Sequence, residues 1–178
     1  MTMTGLQRSA IVATLVKEYR TRDAFCGETM VQKSVFFLQE LLKVPLAFDF
    51  QLYIYGPFSF ELQRHVSSMM ADDMIAVRSL EYGSTFEPGE QVAYLEKHTA
   101  ETIATHRGAV DFVVKHLAGR GVKQLERVAT ALYFTVTTDG VSVDERAAKI
   151  CEVKPHITPD EARKAVEEVE RWRMELAA

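Results

Sequence analysis

The sequence predicts a mostly α (α+β) fold: a winged-helix-like N-terminal half with a small β-hairpin, followed by a C-terminal helical bundle. Three observations predict it. Apolar residues recur at helical spacing through most of the chain, the first half reads helix, helix, helix, hairpin, and two hydroxyl-x-x-Glu capping boxes open helices near the C-terminus.

Thr4-Gly5-Leu6-Gln7 is a capping-box pattern ahead of Leu6, Ile11, Val12, Leu15, Val16 and Tyr19, which predicts a first helix over 6–20. Gly27 breaks the chain. Met30, Val31, Val35, Phe36, Phe37, Leu38, Leu41 and Leu42 cover more than one helix face, so the second helix is expected at the buried centre. Pro45 ends it. Phe48, Phe50, Leu52 and Ile54 alternate with Asp49, Gln51, Tyr53 and Tyr55, the pattern of a strand that Gly56-Pro57 would turn. Ser59 then caps a third helix carrying Leu62, Val66, Met69 and Met70 as far as Asp72-Asp73. Extended segments over 74–80 and 90–95, around a loop with Gly83, Pro88 and Gly89, predict a long-tipped hairpin.

Helical patterning resumes over 99–117 and, after Gly119-Arg120-Gly121, over 122–135. Ser142-Val143-Asp144-Glu145 and Thr158-Pro159-Asp160-Glu161 start two more helices, the second with proline at its first position. No Ser/Gly/Pro-rich linker separates the halves. The chain therefore reads as a single domain over 1–178, with a winged-helix-like part over 1–97 and a helical part over 98–178.

A chain of 178 residues, 47% hydrophobic and 26% charged, is long and apolar enough to bury a core. Acidic residues outnumber basic ones 25 to 21, so the mean field repels phosphate backbones and disfavours nucleic acid as a partner. Cys26 and Cys151 lie far apart and read as small core residues. The N-terminus lacks the charged-then-apolar pattern of a secretion signal and no stretch is apolar enough to span a bilayer, so the expected compartment is the cytoplasm, with no membrane partner.

The five histidines show no i, i+4 pair and no His-Glu-x-x-His, and the glycines form neither a dinucleotide fingerprint nor a phosphate loop. No cofactor, no metal and no catalytic residues are expected. An enzyme whose carboxylates or histidines converge only in the fold stays open as an alternative.

A winged helix raises a second alternative, a DNA-binding regulator reading the major groove with Gln63, Arg64 and His65. Its charges argue against that. Over 59–73 Arg64 is the one formal cation against Glu61, Asp72 and Asp73, and the hairpin adds Glu81, Glu87 and Glu90. The span 97–127 is less acidic, but its cations exceed its acids by too little to form a phosphate track.

The most distinctive segment is Tyr53-Ile54-Tyr55-Gly56-Pro57-Phe58-Ser59, aromatics around a stiff turn that leads into a capped helix. Aromatics with a polar tip favour partner surfaces. Tyr53, Tyr55, Gly56, Pro57 and Phe58, with Glu61 and Arg64 on the third helix, are the expected partner-binding residues. The same turn also reads as pure geometry, with the rings packed inside.

Val31-Gln32-Lys33-Ser34-Val35-Phe36-Phe37-Leu38-Gln39, with Tyr55-Gly56-Pro57-Phe58-Ser59 and Glu61-Leu62, resembles the Leu-Gln-Lys-Leu helix and Tyr-Gly-Pro motif of the Panacea domain, the group of the SocA-type antitoxins. Ser34 stands where that pattern commonly has leucine. Ala129-Thr130-Ala131-Leu132-Tyr133-Phe134 and Lys154-Pro155-His156-Ile157-Thr158-Pro159-Asp160-Glu161 look closer still to the uncharacterised YwgA-like bacterial proteins. The resemblance implies a non-enzymatic regulator that neutralises a toxin by binding it, or presents a client to a protease. Apart from the resemblance, a homodimer is a further option, and the DNA-binding alternative would read its operator as a symmetric dimer.

Overall fold

The computed structural model describes residues 2–138 and 140–178. Eight helices and four short strands follow one another among them, so the mostly α (α+β) expectation holds. They fall into two compact units, 1–50 with 59–120, and 51–58 with 121–178. The boundary between these units lies at 120/121, beside the glycine break, and the excursion 51–58 groups with the C-terminal helices.

The first unit holds α1 (Gly5–Thr21), α2 (Glu28–Glu40), α3 (Phe60–Ala71), the hairpin β3 (Ile75–Ser79) and β4 (Ser84–Pro88), α4 (Val92–His98) and α5 (Ala100–Leu117). Helix, helix, helix, hairpin is present in the expected order. Thr4 Oγ1 accepts from Gln7 N–H while the Gln7 side chain accepts from Thr4 N–H, closing the capping box of α1. Ser59 caps α3 with its hydroxyl alone, which accepts the Leu62 N–H. Met30 to Leu38 are all buried on α2, the central helix, and α1 packs on α2, α3, α4, α5 and β4. Cys26 is fully buried, and desolvation pushes its thiol up to about 12.

The hairpin differs from expectation in its second strand. β4 is 84–88, and the segment around Leu95 is helix α4, with Leu95 alone turned into the core. The reason lies at Gly89. An ideal Cβ there would sit 2.1 Å from the Asp73 carbonyl oxygen, so the two chain segments close against each other at Gly89 and the ladder ends.

The second unit holds β1 (Gln51–Tyr53) and β2 (Gly56–Phe58), then α6 (Val122–Thr137), α7 (Val143–Val153) and α8 (Pro159–Ala177). Both C-terminal capping boxes form, at Ser142/Glu145 and Thr158/Glu161, and Pro159 opens α8. α6, α7 and α8 pack on one another around Leu132, Ile150, Val166 and Val169, and β2 lies on α6. Arg146, nearly buried, ties α7 to α8 through Glu170 at 2.5 Å and to α6 through Thr135 at 2.8 Å. Cys151 is half-buried rather than a core residue.

Candidate functional site

The strand expected over 48–55 resolves into an anchor and a hairpin. Gln39 on α2 donates from Nε2 to the Phe48 carbonyl at 3.0 Å and accepts the Phe48 N–H at 2.8 Å. Gln32, seven residues earlier and so on the same helix face, treats Ser59 identically: its Nε2 donates to the Ser59 carbonyl at 3.0 Å and its Oε1 accepts the Ser59 N–H at 2.9 Å. Phe48 and Ser59 flank the excursion 49–58. The backbone of Phe48 thus pairs with a glutamine side chain and not with a neighbouring strand, which is why 48–50 is no strand.

β1 and β2 pair antiparallel, with Tyr53 opposite Gly56. The chain reverses at Ile54-Tyr55, two residues before the expected Gly56-Pro57 turn, and Gly56 is already in β2 at φ +84°. Glycine takes this left-handed conformation directly after the two-residue turn without a Cβ penalty. Space demands glycine as well: an ideal Cβ would lie 3.0 Å from the Thr130 Oγ1. Ile54, expected to share one strand face with Leu52, is therefore at the tip and 60% exposed.

Lys154 holds this turn. Pro155 stops α7, placing Lys154 at its C-cap. The side chain is almost fully buried, and its Nζ donates to the Tyr53 carbonyl at 2.7 Å and to the Ile54 carbonyl. Glu126 of α6, also buried, sits with Oε1 3.3 Å from the same Nζ, while its Oε2 meets His156 Nε2 at 3.1 Å. The Lys154–Glu126 approach lacks hydrogen-bond geometry and is an ion pair through space. A lysine so buried is stable because a carboxylate and two carbonyls meet its charge. Thr130 Oγ1, beneath Gly56, is buried without a hydrogen-bond partner.

Tyr53 and Tyr55 are 48% and 58% exposed beside Ile54, so three large apolar side chains stand in solvent on a turn whose carbonyls are clamped from below. Gly56 and Pro57 are buried, and Phe58 is half-buried against the Tyr53 ring at 5.8 Å between centroids. Of the seven expected partner-binding residues, five therefore lie on this hairpin, with Tyr53 and Tyr55 outward.

Glu61 and Arg64 lie on α3 of the first unit. Glu61 pairs with Arg8 at 2.7 Å, which holds its carboxyl below the usual range, and Arg64 is exposed. The expected DNA readers lie on the same helix. His65 is half-buried: its Nε2 is 3.0 Å from Ser9 Oγ of α1, the ring packs edge-on to Phe48, and burial lowers its pKa. Gln63 is exposed, with Nε2 donating to Glu28 at 2.9 Å.

Sequence reasoning missed Lys154, Glu126, His156 and the two glutamines. Lys154 and His156 stand in the Lys-Pro-His-Ile block, and Gln32 and Gln39 stand in the block containing Ser34, but nothing local says that a side chain reaches a turn about 100 positions away. Among the described residues no helix is long and apolar enough to cross a membrane, and no group of three or more His, Cys, Asp or Glu is placed to hold a metal ion. The chain matches no protein-family model and no curated protein.

Proposed function

We propose that the chain is a non-enzymatic, cytoplasmic regulator that binds another protein, antitoxin-like or proteolytic-adaptor-like, through the tip Tyr53-Ile54-Tyr55. One observation carries the reading: three contiguous large apolar side chains are exposed on a turn held by a buried lysine and a left-handed glycine. A held aromatic turn loses little conformational freedom when it docks, and tyrosine combines apolar area with a hydroxyl able to bond at a partner surface. The Tyr-Gly-Pro block behind the Panacea resemblance is this same segment, which supports the antitoxin or adaptor form of the reading.

DNA binding draws less support. His65 is turned against α1, and Arg64 is left as the formal cation of α3. The deciding experiment is capture from native cells with wild-type bait and with Tyr53→Ala/Tyr55→Ala, identifying bound protein and nucleic acid together. A specific protein retained by the wild type and lost from the variant is the expected result. Recovery of one DNA region with no protein sinks the proposal in favour of the winged-helix regulator.

A further inference from the structure

We propose that the outer edge of β3 is a docking strand for an extended, basic segment of a partner protein, which adds beside Ile75–Ser79 as a third strand. β3 and β4 pair antiparallel, with Val77 opposite Phe86 and Arg78 opposite Thr85. The ladder continues past both ends, where Gly89 N–H donates to the Met74 carbonyl at 3.2 Å and Leu80 N–H to the Gly83 carbonyl at 3.0 Å. Antiparallel pairs alternate, so Met74, Ala76, Arg78 and Leu80 exchange bonds with the β4 side. The N–H and C=O of Val77 and Ser79 point the other way. A separate bond fixes the same phase: Phe86, opposite Val77, sends its N–H outward to the Cys26 carbonyl at 2.8 Å. The far edge of β4 is therefore covered. On the far edge of β3, among the described residues, the main-chain groups of Val77 and Ser79 have no partner.

Open edges are normally blunted by proline, an inward charge or a bulge. Ile75-Ala76-Val77-Arg78-Ser79 has no proline or glycine, pairs in unbroken register, and leaves Val77 half-exposed, with Tyr82 standing out at the hairpin tip. Charge selects the occupant. Asp72 and Asp73 are exposed just before the strand and Glu81 just after it, while the cation within it, Arg78, is paired with Glu87 at 3.1 Å. An incoming strand meets acid at both ends and an apolar centre, so it should carry Lys or Arg at its ends and a β-branched residue opposite Val77. A second copy of this chain fits badly, because two-fold pairing at Val77 sets Glu81 against Asp73 of the other copy. The inference rests on the first unit alone and holds whether or not the Tyr53-Ile54-Tyr55 tip binds a partner.

The test titrates the full chain with a synthetic Lys-Lys-Thr-Val-Thr-Val-Lys-Lys peptide, following backbone amides by heteronuclear NMR, and repeats it with glutamate in place of each lysine. The Val77 and Ser79 amides should shift and gain exchange protection with the lysine peptide, and the glutamate peptide should bind at least 10-fold more weakly. Val77→Pro removes an outward N–H while leaving the β4 ladder its bonds, and should weaken binding at least 10-fold; Tyr53→Ala/Tyr55→Ala should not change it. Should Val77→Pro disturb the fold, N-methylation of alternate peptide residues asks the same question from the ligand side. Absence of shifts at Val77 and Ser79, equal binding of the glutamate peptide, or indifference to both Val77→Pro and N-methylation overturns the inference.

Discussion

The Nζ of Lys154 donates to the Tyr53 carbonyl at 2.7 Å, across 101 positions of sequence, and the same ammonium lies 3.3 Å from the buried carboxylate of Glu126. The exposed turn is thus fastened to the C-terminal helices by a charge that has left water. Such a pair resists the removal of one partner more than the removal of both. Lys154→Met should cost about 3–5 kcal/mol in urea unfolding, since it leaves the buried Glu126 carboxylate without its ammonium and with His156 alone, and Lys154→Met/Glu126→Leu should recover most of the loss. A double variant no more stable than the single one would show that the lysine acts through the two carbonyls and not through Glu126.

Gly56 carries two separate constraints, and they can be separated experimentally. Its φ of +84° penalises any L side chain by about 1–2 kcal/mol, and a Cβ also presses on Thr130 Oγ1. Gly56→Ala should therefore be destabilised beyond the conformational cost alone, and adding Thr130→Ala should return only the steric part. Thermal unfolding of the three proteins decides it: full rescue by Thr130→Ala would mean that the backbone is relaxed.

How far these features were legible follows from their range. Thr4/Gln7, Ser142/Glu145 and Thr158/Glu161 were readable because each box closes over three residues, and the buried face of α2 was readable from its spacing. The strand expected at 48–55 does not form as one element because the alternation there has two causes that give one pattern, Phe48 buried in an anchor loop and Leu52 half-buried in a hairpin. The extended segment placed at 90–95 failed at Gly89, whose role is a close approach to Asp73 that only the fold creates. Tyr53, Tyr55 and Gly56 were singled out for composition, while the lysine that fastens them lies in a block with no local relation to them.

The glutamine clamps predict an asymmetry within α2. Ser59 is fully buried, so losing the Gln32 amide leaves its N–H without a partner and its C=O with the Gln63 N–H alone, whereas the Phe48 side is only part-buried and water can substitute. Gln32→Ala should cost about 2–3 kcal/mol and Gln39→Ala roughly half that, measured by urea unfolding. Equal costs would place the two clamps in equivalent surroundings.

His65 supplies a pH dependence with a definite sign. Burial, and secondarily the charge of Arg8, lower its pKa in the folded chain, while Glu61 opposes them weakly. The folded state therefore favours the neutral ring, and on acidification the unfolded chain takes up the proton first. Stability from this group is complete above the ordinary histidine value of about 6.5 and is lost as pH falls through the folded value. His106, also lowered by burial, acts in the same direction, so replacing His65 should flatten the dependence without abolishing it. His65→Gln, which keeps a group able to bond Ser9 Oγ, should show a smaller drop in urea midpoint between pH 7.5 and pH 5.5 than the wild type (about one pH unit either side of the free histidine value). Parallel drops in the two proteins would mean that the ring is hydrated in solution and that its packing against Phe48 does not set its charge.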